Sequence, residues 1–151
     1  MIQRPQRNGL ACDAAAVVFD QASQALALAY ATPLSSGVEI LPVFNLVLVF
    51  NRGASFGSFS AVPWWALSLV GLAVVAVLAT WLWRTLNRWV GAGLGLVIGG
   101  ALGKVLDRVR QGAVTDFLDF HWGVHHWPAF NLADVAIVGG VALFLIGETR
   151  R

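Results

Sequence analysis

The feature that most constrains this chain is the apolar run at positions 64–83, WWALSLVGLAVVAVLATWLW, which contains no charged residue. In a helix that rises about 1.5 Å per residue, roughly 20 residues cross a hydrocarbon core of about 30 Å. The run also carries tryptophans at both ends, and these amphipathic rings favour the membrane–water interface. Together these properties predict a transmembrane helix over residues 64–83.

The composition of the whole chain agrees with a membrane protein. Of its 151 residues, 58% are hydrophobic and 12% are charged, whereas soluble domains average about 45–50% apolar and about 25% charged residues. The ten lysines and arginines are dispersed, so nucleic-acid binding is not expected. Cys12 is the only cysteine, which excludes intrachain disulfides and multi-cysteine metal sites. The length predicts one integral membrane domain over residues 1–151.

Three further segments are apolar enough to be considered as spans, and they lie at residues 11–31, 90–106 and 132–147. The sequence therefore predicts an all-α membrane protein with four transmembrane helices. The first of these segments is less apolar than the others. Four polar residues interrupt it: Asp13, Asp20, Gln21 and Gln24. An amphipathic helix lying on the membrane surface is the alternative for this segment.

Basic residues flank the predicted spans in three places. The flanks are Arg4 with Arg7, Arg84 with Arg88, and Arg150 with Arg151. Four spans would place all three flanks on one side of the membrane, and the positive-inside rule makes that side cytoplasmic. Both termini are then expected in the cytoplasm, with residues 32–63 and 107–131 on the outer side.

The first outer segment contains the run VEILPVFNLVLVF at positions 38–50. This run is too short to cross a membrane and is interrupted by a proline. Because it is rich in β-branched and aromatic residues, it is typical of β-strands. We therefore expect a small extracytoplasmic sheet beside the four helices.

The third predicted helix, at residues 90–106, is rich in glycine. Gly95 and Gly99 fit the small-xxx-small pattern through which membrane helices approach one another closely. The pattern favours a tight contact between this helix and a neighbouring one.

Ionisable residues cluster toward the predicted outer side of the spans. They are Asp20 in the first helix, Lys104, Asp107 and Arg108 at the end of the third, Asp116 just beyond it, and Asp134 in the first turn of the fourth. Ionisable groups at membrane depth are costly unless they are paired or face a cavity, so they are candidates for function. We expect one polar site to collect them.

Asp116 and Asp134 are the candidates for a catalytic pair. Two carboxylates about 3 Å apart do not both ionise easily, so they share a proton, and one acts as a base on water while the other acts as an acid on a carbonyl. Each stands beside a helix end, where water can arrive while a substrate helix stays in lipid. The spacing alone leaves a second interpretation open, in which both acids are solvated or bound in salt bridges.

Four blocks of the sequence occur together. They are DQASQ at 20–24, NRGASF at 51–56, GGALGKVLDR at 99–108 with GAVTDF at 112–117, and FNLAD at 130–134. In order and interval these blocks resemble the first-helix block and the three main signature blocks of the lipoprotein signal peptidase (signal peptidase II) family. The resemblance covers nearly the whole chain, and the joint occurrence of the blocks is highly specific.

The resemblance implies an intramembrane aspartic endopeptidase of the bacterial inner membrane. Such an enzyme removes the signal peptide from diacylglyceryl-modified prolipoproteins just before the lipidated cysteine, using water and no cofactor. Its implied partners are prolipoprotein substrates and membrane lipid, and we expect a monomer that binds no nucleic acid.

The resemblance also assigns roles to residues. Asp116 and Asp134 become the catalytic dyad, and Asn51 and Asn131 become polar members of the site. Gly53 and Asp20 belong to matching blocks and are expected to support it. Asp107 with Arg108 becomes an ion pair that holds the loop bearing Asp116, which is equally compatible with an ordinary interface salt bridge.

Two positions depart from the family pattern. The family usually has lysine where this chain has Gln24, and asparagine where it has Lys104. If the two side chains face one cavity, Lys104 could supply the cation that position 24 lacks. The opposite hypothesis is that Lys104 disturbs the shared proton of the dyad.

Three histidines lie in the second outer segment, at His121, His125 and His126. A His-x3-His spacing suits zinc in a helix, but Gly123 and Pro128 argue against a regular helix there. We therefore expect no metal site. These histidines, with Trp122 and Trp127, are instead expected at the interface, beside the entrance to a lipid-facing cleft.

Two other functions remain open from the sequence. A catalytically silent relative would bind lipoprotein or lipid without cleaving it. A small transporter could use Asp20, Asp107 and Asp134 as a proton path, but the inner half of the chain offers few acidic residues to complete the route.

Overall fold

The computed structural model describes residues 3–53 and 61–150 of the chain. Five helices lie in this part: α1 (Arg4–Ala29), α2 (Ala31–Ser35), α3 (Trp64–Arg84), α4 (Arg88–Gln111) and α5 (Leu132–Thr149). Among the described residues, α3, α4 and α5 are the helices long and apolar enough to cross a membrane. Ala54, Ser55, Phe56 and Arg151, which belong to predicted motifs, lie outside the described residues.

The helix α1 begins earlier than the sequence predicted, at Arg4 rather than near residue 11. Pro5 lies in its first turn, where the fixed backbone angle of proline suits the start of a helix. Because of its polar residues, α1 is not among the helices that are apolar enough to cross a membrane by composition alone. It is nevertheless packed against α4, so it is part of the helix bundle.

The helix α4 lies at the centre of the bundle and contacts α1, α3 and α5. Its glycines make these contacts close, because a Cβ atom at Gly95 would overlap backbone atoms of Gly9 in α1. On another face, a Cβ atom at Gly93 would lie 2.6 Å from the carbonyl oxygen of Gly140 in α5. The predicted close approach through the glycine pattern is confirmed.

The third predicted helix was placed too short at its C-terminal end. The helix α4 continues to Gln111 and ends at Gly112, which adopts a left-handed φ of 72°. Glycine accepts this conformation without strain and commonly terminates helices. Asp107 and Arg108 therefore lie in the last turns of α4, not in the outer segment predicted from residue 107.

The described strands form one antiparallel order, β1 (Val38–Leu41), β2 (Phe44–Asn51), β3 (Val114–Trp122) and β4 (His125–His126). The strands β1 and β2 confirm the small sheet predicted from residues 38–50. The strand β3 was not predicted. It pairs with β2 so that Val49 lies opposite Asp116, and this register brings the strand end that carries Asn51 close to Asp116.

A small hydrophobic cluster joins the sheet to the helices. Ala27 of α1, Leu34 of α2 and Phe117 of β3 are buried together, and Leu132 at the start of α5 packs against them. Full burial of a leucine or phenylalanine side chain contributes roughly 1.5–3 kcal/mol relative to exposure. The cluster fixes β3 against the start of α5, which are the two elements that carry Asp116 and Asp134.

Candidate active site

Asp116 is held on β3 by two asparagine amides. Its side chain is 2% exposed. Asn51, on β2, donates a hydrogen bond from Nδ2 to Oδ2 of Asp116 at 3.2 Å, and Asn131 donates from Nδ2 to Oδ1 at 2.9 Å. Both carboxyl oxygens of this buried acid are therefore hydrogen-bonded and fixed in orientation.

Asn131 connects the two candidate carboxyl groups. It is the N-cap of α5, and its Oδ1 accepts a hydrogen bond from the backbone N–H of Asp134 at 3.1 Å. In return, Oδ2 of Asp134 accepts a longer hydrogen bond from the backbone N–H of Asn131 at 3.4 Å. This reciprocal capping box explains why α5 starts where it does. Asn131 therefore contacts both Asp134 and Asp116 and bridges them.

Asp134 forms an ion pair that the sequence analysis left as an alternative. Nζ of Lys104, on α4, lies 3.0 Å from Oδ2 of Asp134. The Asp134 side chain is 35% exposed, whereas Asp116 is almost fully buried. The two acids thus occupy different environments, one beside a cation and partly open, the other enclosed by neutral amides.

The electrostatics of Asp116 favour its protonated form more than those of a free carboxyl group do. Burial raises the pKa of Asp116 from 3.8 to about 6, and the negative charges of Asp134 and Asp107 add to the increase. The charge of Lys104 and the hydrogen bond from Asn51 act in the opposite direction on this pKa. An acid with such a pKa can hold and release a proton near neutral pH, as a general acid must.

Both acids line one cavity of about 740 Å³. Asn51, Lys104 and Arg108 complete its polar end. The remaining lining is largely apolar and comes from α5 and from the segment before it: Val135, Ile137, Val138, Gly139, Trp127, Pro128, Ala129 and Phe130. A cavity of this kind is suited to a ligand that is largely apolar and has a polar group near the two carboxyl groups. Trp127 thus lies at the cavity, as expected.

The predicted ion pair between Asp107 and Arg108 is wrong. Asp107 accepts hydrogen bonds from the Gln21 side chain at 2.8 Å and, less closely, from the backbone N–H of Thr115 at 3.4 Å. Arg108 donates to the carbonyl oxygen of Gly53 at 2.9 Å. Consecutive residues of a helix do not face each other, so the two side chains reach different partners.

Those partners still support the neighbourhood of Asp116. Thr115 precedes Asp116 on β3, so its bond to Asp107 ties that strand to α4. Gly53 donates its backbone N–H to Oδ1 of Asn51 at 3.0 Å, while its carbonyl oxygen binds Arg108. Gly53 thereby links Arg108 to the amide that hydrogen-bonds Asp116.

Asp20, on α1, supports the first turn of α5 and does not line the cavity. It is fully buried, and Oδ1 accepts a hydrogen bond from the backbone N–H of Ala133 in the first turn of α5 at 2.9 Å. Its Oδ2 accepts from Gln24 at 2.9 Å and from Gln21 at 3.2 Å. A carboxylate at a helix N-terminus satisfies an unpaired N–H group and complements the helix dipole.

Asp20→Ala is expected to reduce stability by about 2–3 kcal/mol, because the N–H of Ala133 and the Gln24 amide would be left buried without their acceptor. The loss would appear as a lower melting temperature in detergent micelles, followed by tryptophan fluorescence. Asp13→Ala is the matched control on the same helix, since Oδ1 of Asp13 is buried without a hydrogen-bond partner among the described residues. Equal losses in both variants would contradict this account of Asp20.

The hypothesis that Lys104 compensates for Gln24 required both side chains to face one cavity, and this is wrong. Lys104 lines the cavity and binds Asp134. Gln24 is buried against Asp20 and is not among the residues that line that cavity. Lys104 therefore acts on Asp134, whereas Gln24 acts on Asp20.

The sequence analysis missed one supporting residue, Gln21, and one buried acid that lies outside the site, Asp119. Gln21 donates to Asp107 and to Asp20, and its Oε1 accepts from Arg110. Asp119 is buried beside His126, whose Nδ1 lies 2.9 Å from Oδ2 of Asp119. Gln21 carried a signal, since it belongs to the DQASQ block. Asp119 carried none, because only the pairing of β3 with β2 and β4 shows that it is buried.

Comparison with known proteins gives one consistent result. The sequence profile of the family described as Signal peptidase (SPase) II matches residues 13–150. A lipoprotein signal peptidase of Paraburkholderia phymatum is 46% identical over 140 residues, which cover 89% of this chain and 83% of that protein. A lipoprotein signal peptidase of Aeromonas hydrophila subsp. hydrophila is 47% identical over 142 residues, with 89% and 84% covered.

Solved structures resemble this chain over nearly its full length. A bacterial membrane enzyme determined by the in meso method at 2.3 Å resolution has a TM-score of 0.82 and 26% sequence identity, covering 94% of this chain and 87% of that one. A second, at 1.9 Å resolution, has a TM-score of 0.78 and 26% identity, covering 91% and 90%.

Proposed function

The chain belongs to the signal peptidase II family, and we infer from this that it is an aspartic-type peptidase that removes signal peptides from prolipoproteins. The family match carries this function, and nothing in the comparisons favours a silent relative. For the chemistry, we propose that Asp116 and Asp134 form the catalytic dyad. The observation that carries the proposal is that Asn131 hydrogen-bonds both carboxyl groups, Asp116 through its side-chain Nδ2 and Asp134 through its backbone N–H, while both acids line one cavity.

In the proposed reaction, the dyad holds one proton and a water molecule lies between the two carboxyl groups. One carboxylate takes a proton from this water as its oxygen bonds to the scissile carbonyl carbon, and the other carboxyl gives its proton to the carbonyl oxygen. The resulting gem-diol collapses when the C–N bond breaks. The leaving nitrogen takes one proton and the gem-diol returns the other, so the dyad ends as it began.

The cavity supports a lipidated substrate. Its polar end holds the two acids, and its apolar wall includes Val135, Ile137, Val138, Trp127 and Phe130. We propose that this wall contacts the signal-peptide helix and the diacylglyceryl group, so that cleavage falls just before the lipidated cysteine. Water is the only co-reactant in this scheme.

We further propose a single membrane domain with four spans, α1 being the fourth beside α3, α4 and α5. The support is that α1 is as long as the other three and packs along α4, with its polar side chains directed at Asp107 and Ala133. In the proposed orientation both termini are cytoplasmic, the dyad lies toward the outer face of the inner membrane, and the protein acts in lipid as a monomer without nucleic acid.

The function is tested with the purified chain in lipid and a prolipoprotein that carries diacylglyceryl-cysteine. We expect one cut, mapped by mass spectrometry to the bond before the lipidated cysteine. The matched control substrate has serine in place of that cysteine, so it cannot be lipidated, and we expect no cut in it. A parent chain that binds the lipidated substrate without cutting it would refute the proposal.

The pKa of Asp116 predicts how cleavage depends on pH. Below its pKa of about 6 this carboxyl holds a proton, and above it the proton is lost. Because the proposed reaction needs one protonated and one ionised carboxyl group, we expect kcat/KM to fall as the pH rises past about 6, which reports the free enzyme. A kcat/KM that stays constant from pH 5 to about pH 8 would argue against Asp116 as the group that carries the proton.

A further inference from the structure

The environments of the two acids differ in burial and in one contact with a charged group. In the described part of the chain, Lys104 is the cation within ion-pair distance of a dyad carboxyl group, with Nζ 3.0 Å from Oδ2 of Asp134. Asp116 is hydrogen-bonded by the neutral amides of Asn51 and Asn131 instead. An unequal environment of this kind separates two carboxyl groups into an acid and a base.

We propose that Lys104 decides which acid carries the shared proton: it holds Asp134 as the anion that activates water and leaves Asp116 as the acid that protonates the scissile carbonyl. This inference rests on the proposed function. Lys104 is a positioning residue in it, since its ammonium group contacts Asp134 and not the reacting atoms.

The geometry supports this division in two ways. Protonation of Asp134 would remove its attraction to an ammonium group at 3.0 Å, which is partly shielded from water because the lysine side chain is 19% exposed. Protonation of Asp116 removes no such contact and relieves the burial of a charge. Protonation of Asp116 therefore costs less free energy than protonation of Asp134.

Other charged groups around the dyad do not reverse the asymmetry. Arg108 lines the same cavity but directs its guanidinium to the carbonyl oxygen of Gly53. Asp107, on the same helix, is bound to Gln21 and Thr115. Asp20, on α1, is bound to α5 through the N–H of Ala133 and to two glutamines. Among these groups, Lys104 alone hydrogen-bonds Asp134.

The roles follow through the whole reaction. Asp134 takes a proton from water as the new C–O bond forms, while Asp116 gives its proton to the carbonyl oxygen. When the C–N bond breaks, Asp134 gives its proton to the leaving nitrogen, and Asp116 regains one from a hydroxyl of the gem-diol. The dyad returns to an ionised Asp134 and a protonated Asp116.

The first test compares the pH profiles of kcat/KM for the parent, Lys104→Gln and Lys104→Arg on the lipidated prolipoprotein. In Lys104→Gln we expect the acid limb to move to higher pH by about one unit. A nearby cation lowers the pKa of a carboxyl group by about 1–3 units, and we expect the low end of this range because the site is partly open to water. The basic limb should follow by less. Lys104→Arg should keep both limbs of the parent.

Either of two results would overturn the proposal. One is a Lys104→Gln variant that loses activity while both limbs stay in place, which is the behaviour of a purely structural residue. The other is a Lys104→Gln variant that is faster at every pH, which would make the lysine inhibitory. Failure of the function itself is distinguishable from both, because the parent would then cleave at no pH.

A second measurement tests the proposal even if the Lys104→Gln variant is inactive. Carbon-13 labelled aspartate reports the ionisation of each carboxyl group by NMR in micelles, with signals assigned through Asp116→Asn and Asp134→Asn. We expect Asp134 to ionise at lower pH than Asp116 in the parent, and the gap between them to narrow in Lys104→Gln. Asp116 ionising first, or an unchanged gap, would overturn the proposal.

Discussion

Asp116→Asn and Asp134→Asn are each expected to reduce cleavage of a lipidated prolipoprotein by at least about 10³-fold. General acid or base catalysis alone contributes about 10²–10⁴-fold, and an amide can neither take a proton from water nor give one to the carbonyl oxygen. The double variant should be hardly slower than either single one, because residues that act as a unit are strongly non-additive. The measurement is kcat/KM for the purified, lipid-reconstituted chain.

Asp119→Asn is the matched control for this prediction. Asp119 lies on the same strand as Asp116 and is also buried, at 5% exposure, but it binds Asn45 and His126 and is not among the residues that line the active-site cavity. Its variant should keep cleavage within about tenfold of the parent, a loss below the range for a general acid or base. If Asp119→Asn were as inactive as Asp116→Asn, the loss would reflect damage to β3 and not loss of the dyad.

Both dyad variants must be shown to keep the fold of the parent. Asp116 accepts hydrogen bonds from two amides, so an asparagine there would place its own amide against a donor, and either Asn51 or Asn131 must rotate. Asp134 caps α5 through the N–H of Asn131, a contact that an asparagine oxygen can preserve. Melting temperatures therefore belong beside the rates, and a rate loss without a comparable loss of stability identifies catalysis.

The parts of the fold that the sequence could predict are those determined by local composition. A run such as residues 64–83 has no alternative to a membrane helix, because an uncharged segment of that length meets the thickness of the bilayer. Gly95 and Gly99 likewise indicate close helix packing by their spacing alone. The strands β1 and β2 follow from a β-branched and aromatic run.

Other parts depend on contacts between residues distant in the chain. The strand β3 contains two aspartates and a histidine, and it forms because β2 pairs with it across more than sixty intervening positions, as the Asn51–Asp116 separation of 65 shows. Asp20 reaches Ala133 across a separation of 113. Neither contact leaves a local pattern, which is why β3 was missed and why the role of Asp20 was left unspecified.

The candidate site shows the same division. Asp116 and Asp134 could be singled out as candidates because ionisable groups are rare at membrane depth and their blocks resemble a known family. The ion pair of Lys104 with Asp134 could not be chosen over other partners, since Asp107 and Arg108 lie within one turn of the same helix. Side-chain direction around α4 decides it, and that direction is set by how α4 packs against α1 and α5.

The tightest helix contact yields the other large prediction, in which Gly95→Ala destabilises the protein. A Cβ atom at position 95 would meet the carbonyl oxygen of Gly9 and lie 2.7 Å and 2.8 Å from its carbonyl carbon and Cα atoms. These are backbone atoms, so no side-chain rotation relieves the overlap and α1 must move away from α4. Overpacking of this kind costs about 1–3 kcal/mol or more, and we expect a melting temperature lower by about 5–10 °C.

Gly139→Ala is the control that separates packing from helix propensity. Gly139 is also within a membrane helix, and a Cβ atom there would meet nothing within 4 Å, so alanine should be neutral or stabilising, since glycine costs about 1 kcal/mol in a helix. Because α1 also carries Asp20, which caps α5 two positions from Asn131, displacement of α1 in Gly95→Ala should lower cleavage together with stability. A Gly95→Ala chain as stable and active as Gly139→Ala would show that α1 is not held against α4 through this glycine.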